Sequence, residues 1–193
     1  MAELVLCCGK VCSGKSTFSS QLENEFAFFS FSLDSWVLHF YGETEDLELF
    51  DTRLNKCEEK ILEICEKLLG RGINISLDFG FWTISKRDAI RNRFEGLGHT
   101  VSLVYFPISF ELQIKYMKKR QENSKTVHYV FDEETIKTLN PFFEEPIDRE
   151  TIITKDEYLS YRRDALCQDS CHTTEKGMEA TRYNDRGKLY EKE

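Results

Sequence analysis

The feature that most constrains this chain is an apolar run followed by a glycine-containing loop, LVLCC and then GKVCSGKST, near the amino terminus. Gly9, Gly14, Lys15 and Ser16 have the spacing of the Walker A pattern, and the segment KSTFSSQLENEF that follows is compatible with a helix. A buried strand that leads into such a loop directs backbone N–H groups and the positive helix end toward an anion. This stretch predicts a strand, a phosphate-binding loop and a helix.

The residue types of the loop suit a nucleotide. Its N–H groups cradle phosphates, Lys15 reaches the β- and γ-phosphates, and Ser16 holds Mg²⁺. The predicted nucleotide-binding residues are Gly9, Cys12, Ser13, Gly14, Lys15, Ser16 and Thr17. The competing interpretation is an ordinary glycine turn with a solvated lysine.

Apolar strands and amphipathic helices alternate along most of the chain. Strands are predicted at residues 4–8, 26–34, 73–78, 101–106 and 151–154, and helices at 15–26, 50–68, 85–98, 109–123 and 132–139. This alternation predicts βαβ units and a parallel sheet, an α/β fold. Apolar residues become sparse after Cys167, so we expect one domain at 1–154 and a C-terminal extension at 155–193 that is partly mobile.

Composition and charge indicate where the protein is located and which classes of partner are disfavoured. The net charge of −8 disfavours broad capture of nucleic acid, and no apolar run approaches the ~20 residues of a membrane span. The amino terminus lacks the pattern of a signal peptide, so a cytoplasmic location is expected, with the seven cysteines as free thiols. Cys167, Cys171 and His172 are one ligand short of a structural zinc site, so we interpret their spacing as coincidence.

Two carboxylates are predicted at the ends of strands. Asp34 follows the second strand, where open α/β sheets handle ligands, and it is a candidate base for an acceptor hydroxyl; capping of the next helix is the alternative. Asp78 follows the third strand and is a candidate for the Mg²⁺ shell or the acceptor, with a cap or turn role as its rival. The aromatic residues Phe79, Phe81 and Trp82 line an acceptor pocket or simply pack.

Basic side chains supply further candidates. Lys118, Lys119, Arg120 and Lys125 lie at the end of a predicted helix, where a closing lid brings cations over the γ-phosphate. We select Arg120, because its guanidinium suits phosphate oxygens, against the alternative of a solvated helix end. Arg87 and Arg91, four residues apart on one helix face, are secondary candidates for holding an acceptor.

Residues 1 to about 154 resemble the small P-loop kinases: polynucleotide kinases, chloramphenicol phosphotransferase, zeta-type toxins and AAA-type ATP-binding proteins. The resemblance rests on GKVCSGKST, SLDSW, SLDFGFWTISKRDAIR and RQEN. It implies a three-layer P-loop fold with a parallel five-stranded sheet flanked by helices and a small lid, ATP with Mg²⁺ as donor, Asp34 as base and Arg120 as lid arginine. Polynucleotide kinases carry an arginine three residues after the acid, where this chain has Val37, so a small-molecule acceptor fits better.

The predicted function is ATP-dependent transfer of the γ-phosphate to a hydroxyl of a small-molecule acceptor, with Lys15, Asp34 and Arg120 as catalytic residues and Ser16 and Asp78 as metal ligands. A nucleotide-dependent regulatory ATPase is the second hypothesis. Action on a nucleic-acid end or a sugar nucleotide is the third.

Overall fold

The structure, a computed structural model, describes residues 2–44, 46–122, 129, 131–147 and 150–176, with no side-chain description for residue 47 or for 167–176. The strands are β1 Glu3–Cys8, β2 Phe29–Ser32, β3 Ile75–Gly80, β4 Thr100–Tyr105 and β5 Ile152–Thr154. The helices are α1 Lys15–Phe26, α2 Leu33–Tyr41, α3 Leu47–Leu69, α4 Ile84–Glu95, α5 Phe110–Glu122, α6 Glu133–Leu139 and α7 Lys155–Lys176, and a 3-10 turn spans Asn140–Phe142.

The five strands form one parallel sheet in the order β2-β3-β1-β4-β5. Every residue of the central strand β1 is buried, which explains why its sequence after Glu3 is continuously apolar instead of alternating. The predicted α/β fold with a five-stranded parallel sheet is therefore confirmed. All carboxyl ends lie at one edge of this sheet, the edge at which open α/β proteins bind ligands.

Two predicted strands differ from the observed ones by two residues or more, and the other three by a single residue at one or both ends. β2 is confined to Phe29–Ser32, not 26–34, because Phe26 still belongs to α1 and the Ser32 side chain caps α2 by accepting a hydrogen bond from the Ser35 N–H. β3 runs from Ile75 to Gly80, two residues beyond its predicted end. Asp34 thus lies in the first turn of α2, and Asp78 lies within β3.

The core lies between the sheet and its helices. α3 contributes Ile61, Cys65 and Leu69, and it ends at the predicted glycine, Gly70. Cys7 and Cys8 are buried free thiols, and desolvation is the main cause that raises the pKa of each to about 12, so neither is a ready nucleophile.

The chain divides into two compact units, Met1–Lys155 and Asp156–Glu193. In the described part of the chain the second unit consists of helix α7 alone. The side chains of Cys167, Cys171 and His172 and the whole of residues 177–193 lie outside what is described. No helix in the described ranges is long and apolar enough to cross a membrane.

Candidate active site

The glycine loop between β1 and α1 has the backbone shape of an anion cradle. Cys12 and Gly14 have φ angles of 60° and 98°, which curl the chain, and the Gly9 N–H donates to the Gly80 carbonyl at 3.1 Å. A Cβ atom on Gly9 would lie 2.7 Å from Ser13 Oγ and 2.9 Å from the Phe106 carbonyl oxygen. Glycine is therefore required sterically at position 9 and conformationally at position 14.

Helix α1 begins directly behind this loop and leaves its first amides for an anion. Its N-cap is Gly14, which supplies no side-chain hydrogen bond, and the first turn contains no acidic residue. The Lys15 ammonium donates to the carbonyl oxygens of Gly9 at 2.9 Å and Lys10 at 2.7 Å, so its charge is held over the loop. Uncapped amides, a helix dipole and a fixed cation together suit polyphosphate.

A hydroxyl on α1 and a carboxylate on β3 meet beside the phosphate loop. The Ser16 hydroxyl donates to Asp78 Oδ2 at 2.5 Å, although 62 residues separate the two in the chain. Hydroxyl and carboxylate oxygens are the ligand types Mg²⁺ prefers, and Mg²⁺ bound with nucleotide needs only one or two protein ligands of this kind. This donor set fits Mg²⁺ beside the phosphate loop. Asp78 caps no helix, because Thr83 caps α4.

Asp34 faces the same group of charges from α2. Its side chain is accessible to solvent, yet desolvation by the surrounding protein is the main cause that raises its pKa above the ordinary 3.8. The charge of Asp78 raises this pKa further, whereas Lys15 and Arg120 lower it. Asp34 is not the cap of α2, since Ser32 has that role, and its carboxylate is free to act on a ligand.

Of the predicted basic residues on α5, Arg120 is the one whose charge acts on Asp34. Lys118, Lys119 and Arg120 are all exposed near the end of α5, and Lys125 lies outside the described residues. Gln121, next to Arg120, donates to the Phe131 carbonyl at 2.8 Å, which ties the end of α5 to the chain entering α6.

Arg87 does not hold an acceptor, contrary to the secondary prediction. It is fully buried and pairs with both carboxylate oxygens of Glu150, at 2.6 and 3.0 Å, and it also donates to the carbonyls of Phe81 and Glu144. These partners use its donors, so its role is structural. Arg91 is also engaged, since it donates to the Glu150 carbonyl at 3.3 Å.

The aromatic residues at the end of β3 and directly after it pack instead of forming an open pocket. Phe81 is fully buried and stacks on Phe79 with ring centroids 5.7 Å apart. Trp82 packs against the core and meets Phe143 edge-on at 5.8 Å. The pocket interpretation of Phe81 is therefore wrong, because a core residue cannot contact a ligand.

Sequence reasoning missed two polar groups near the site. The buried amide of Gln113 donates to the Val11 carbonyl in the phosphate loop at 2.9 Å. The hydroxyl of Tyr129 is buried and has no hydrogen-bond partner among the described residues. Desolvation is the main cause that raises the pKa of Tyr129, and the charge of the nearby Asp34 raises it further. The only sequence feature that could have indicated burial of Gln113 is its position in the helical pattern. No sequence feature indicates a role for Tyr129.

Comparison with known proteins agrees with this geometry. The most informative match is to a family model described as an AAA domain, which covers residues 4–146. A search of curated proteins returned no significant match.

Solved structures share the fold at low sequence identity. An unconfirmed kinase from Chloroflexus aurantiacus has a TM-score of 0.64 at 14% identity and covers 79% of this chain and 86% of its own. Kti12 of Chaetomium thermophilum, solved with ADP-AlF3, has a TM-score of 0.58 at 14% identity, with coverage of 78% and 87%. A gluconokinase from Sinorhizobium meliloti has a TM-score of 0.52 at 13% identity, with coverage of 79% and 80%. Since the family model spans well over half of the chain, the protein belongs to this AAA-domain family.

Proposed function

We propose that this protein is an ATP-dependent phosphotransferase that moves the γ-phosphate of ATP to a hydroxyl of a small-molecule acceptor. The observation that carries the proposal is the phosphate loop with the Lys15 ammonium held over it and the Ser16–Asp78 hydrogen bond of 2.5 Å beside it. The charges of Lys15, Asp78 and Arg120 all act on the pKa of the Asp34 carboxyl. A carboxylate beside a phosphate loop, a metal-type pair and a lid-side arginine is the set of groups that phosphoryl transfer requires.

Each group has a defined task in the proposed reaction. The loop amides and Lys15 bind the β- and γ-phosphates, and Ser16 and Asp78 would hold Mg²⁺. Mg²⁺, when bound, neutralises charge on the phosphate oxygens. Arg120 would stabilise the charge of the transferred group, as guanidinium does where phosphate oxygens gather charge.

Asp34 acts on the acceptor. The acceptor O–H bond breaks as its proton passes to the carboxylate, and the acceptor oxygen forms a bond to the γ-phosphorus. The bond from that phosphorus to the β,γ-bridging oxygen breaks, and ADP leaves. The pKa of the Asp34 carboxyl is raised, which brings it closer to the pKa of the acceptor hydroxyl and favours general-base action.

The acceptor proposal rests on Val37 and on the overall charge. Val37 is buried in the core, so the helix of Asp34 offers no cation at the position where polynucleotide kinases carry arginine. The net charge of −8 also weakens binding of a polyanion. Two structural neighbours are described as a gluconokinase and a sugar kinase, which makes polyhydroxy compounds the first acceptors to test.

The test is transfer of label from γ-labelled ATP to a panel of sugars, sugar acids, nucleosides, aminoglycosides and a short RNA. Wild-type protein is compared with Lys15→Met and Asp34→Asn. Label on a small molecule that both substitutions abolish supports the proposal. ATP hydrolysis that no acceptor stimulates and that Asp34→Asn leaves unchanged would instead support the regulatory ATPase, and label only on RNA would refute the small-molecule assignment.

A further inference from the structure

Two side-chain amides hydrogen-bond the phosphate loop to helix α5 and to the turn that follows α6. Gln113 lies in the first turn of α5 and is fully buried. Its Nε2 donates to the Val11 carbonyl at 2.9 Å and to Asn140 Oδ1 at 3.2 Å, and Asn140 Nδ2 donates back to Gln113 Oε1 at 2.9 Å. The three segments joined in this way are distant in the chain, since 102 residues separate Gln113 from Val11.

Chemistry fixes the orientation of this amide pair. The Val11 carbonyl can only accept, so the NH₂ end of Gln113 must face it. The Oε1 end then requires a donor, which Asn140 provides. Rotation of either amide by 180° would bring donor against donor or acceptor against acceptor. The pair therefore has one fully satisfied arrangement, and buried networks of this kind are rigid.

The hydrogen bond from Gln113 to the Val11 carbonyl determines the direction of the next backbone N–H. In a trans peptide the C=O and the following N–H point in opposite directions. With its oxygen held by Gln113, the Val11–Cys12 peptide directs the Cys12 N–H away from α5. Cys12 has a φ of 60°, a conformation that non-glycine residues adopt only when the surroundings hold it.

We propose that Gln113, oriented by Asn140, is a positioning residue for nucleotide binding: it holds the Val11 carbonyl so that the Cys12 N–H faces the nucleotide phosphates. This inference rests on the proposed function, because it assumes that the loop binds a nucleotide. Gln113 also connects the phosphate loop to Arg120 through α5, since Arg120 lies seven residues, about two turns, further along the same helix.

The test is the affinity for Mg·ATP and Mg·ADP, measured by titration calorimetry well below the unfolding temperature. Gln113→Met keeps the volume and removes the donor, and we expect it to weaken both affinities at least tenfold. Gln113→Glu should weaken them further, because its carboxylate repels the Val11 carbonyl. Asn140→Ala, at a partly exposed position, leaves Gln113 in the core but frees its orientation, so a smaller loss is expected.

Met117→Ala is the matched control. Met117 is buried one turn further along α5 and has no strong donor, so its truncation lowers the unfolding temperature without altering the loop peptide. A merely structural Gln113 would behave like this control, with a lower unfolding temperature and an unchanged dissociation constant.

The outcomes separate the two proposals. If wild-type protein binds nucleotide and the folded Gln113→Met variant binds it equally well, the positioning role is wrong and the proposed function stands. If Gln113→Met does not fold, Asn140→Ala decides by the same comparison. If wild-type protein binds neither nucleotide, the proposed function fails and this inference fails with it.

Discussion

Replacement of Asp34 by asparagine distinguishes a catalytic base from a structural carboxylate. Asparagine has nearly the same size but cannot accept the acceptor proton, so the transfer rate should fall by about 10²- to 10⁴-fold. This corresponds to about 3 to 5 kcal/mol of lost transition-state stabilisation. Affinity for Mg·ATP should not decrease, because the carboxylate acts on the acceptor and adds no attraction for a polyphosphate.

The structure also sets the sign of the stability change. Desolvation first, and Asp78 second, raise the pKa of Asp34 above 3.8, so the folded protein holds this proton more tightly than the unfolded chain does. The resulting stabilisation is complete below pH 3.8 and is lost as the pH rises through the folded-state pKa. At pH 7 Asp34→Asn should therefore unfold at the same temperature as wild type or higher, and the difference should vanish at low pH.

Ser32→Ala is the matched control, since Ser32 and not Asp34 caps α2. Loss of this cap should cost about 1 kcal/mol, or about 2–4 °C in unfolding temperature for a chain of this size. The assays are transfer from γ-labelled ATP as a function of pH, calorimetric ATP affinity, and thermal unfolding. An Asp34→Asn variant with full transfer activity would refute the base assignment, and one destabilised as much as Ser32→Ala would refute the structural argument.

Three further substitutions test other parts of the site. Lys15→Met should weaken Mg·ATP binding in calorimetry while circular dichroism stays native, and unchanged affinity would contradict the loop assignment. Arg87→Met leaves the Glu150 carboxylate buried without its ion-pair partner, so it should cost about 3–5 kcal/mol. Burial raises the pKa of Glu150, but hydrogen bonds from Arg87 and the Ile147 N–H and the charges of Arg87 and Arg91 bring it below 4.5 in the wild type, whereas loss of Arg87 should raise it. The difference in stability from wild type should therefore narrow as the pH falls through the variant's raised pKa toward the lowered wild-type one. The Tyr129 hydroxyl has no partner among the described residues and lies near Asp34, so we predict that it hydrogen-bonds the acceptor. Tyr129→Phe should then raise the acceptor KM several-fold without lowering the unfolding temperature, and an unchanged KM would contradict this role.

Local sequence was sufficient to predict the phosphate loop, because its chemistry depends on consecutive residues. Gly14 supplies the positive φ, Lys15 the charge and Ser16 the hydroxyl, and no distant partner is needed to recognise them. The two acids were also predictable despite their separation, since parallel strands bring their carboxyl ends to one edge. Asp34 and Asp78 are close because β2 pairs with β3 in a register that matches Ser32 with Asp78.

The errors concern residues whose partners are remote in the chain. Arg87 and Arg91 share a helix face, which from sequence alone resembles an anion-binding surface, but the fold places Glu150, 63 residues beyond Arg87, against that face. The sequence does not distinguish Gln113 from the other polar residues of a basic helix, because only the fold brings it to Val11. The role of a buried charge or amide depends on whether the fold supplies complementary groups, because an unpaired charge or amide is too costly to bury. Residues near the carboxyl edge of the sheet escape this requirement, since there water or a ligand completes their interactions. The strand pattern therefore put Asp34 and Asp78 close to this edge, where their charges act on each other, whereas helical spacing misassigned Arg87. The roles of the two acids in the reaction stay predictions.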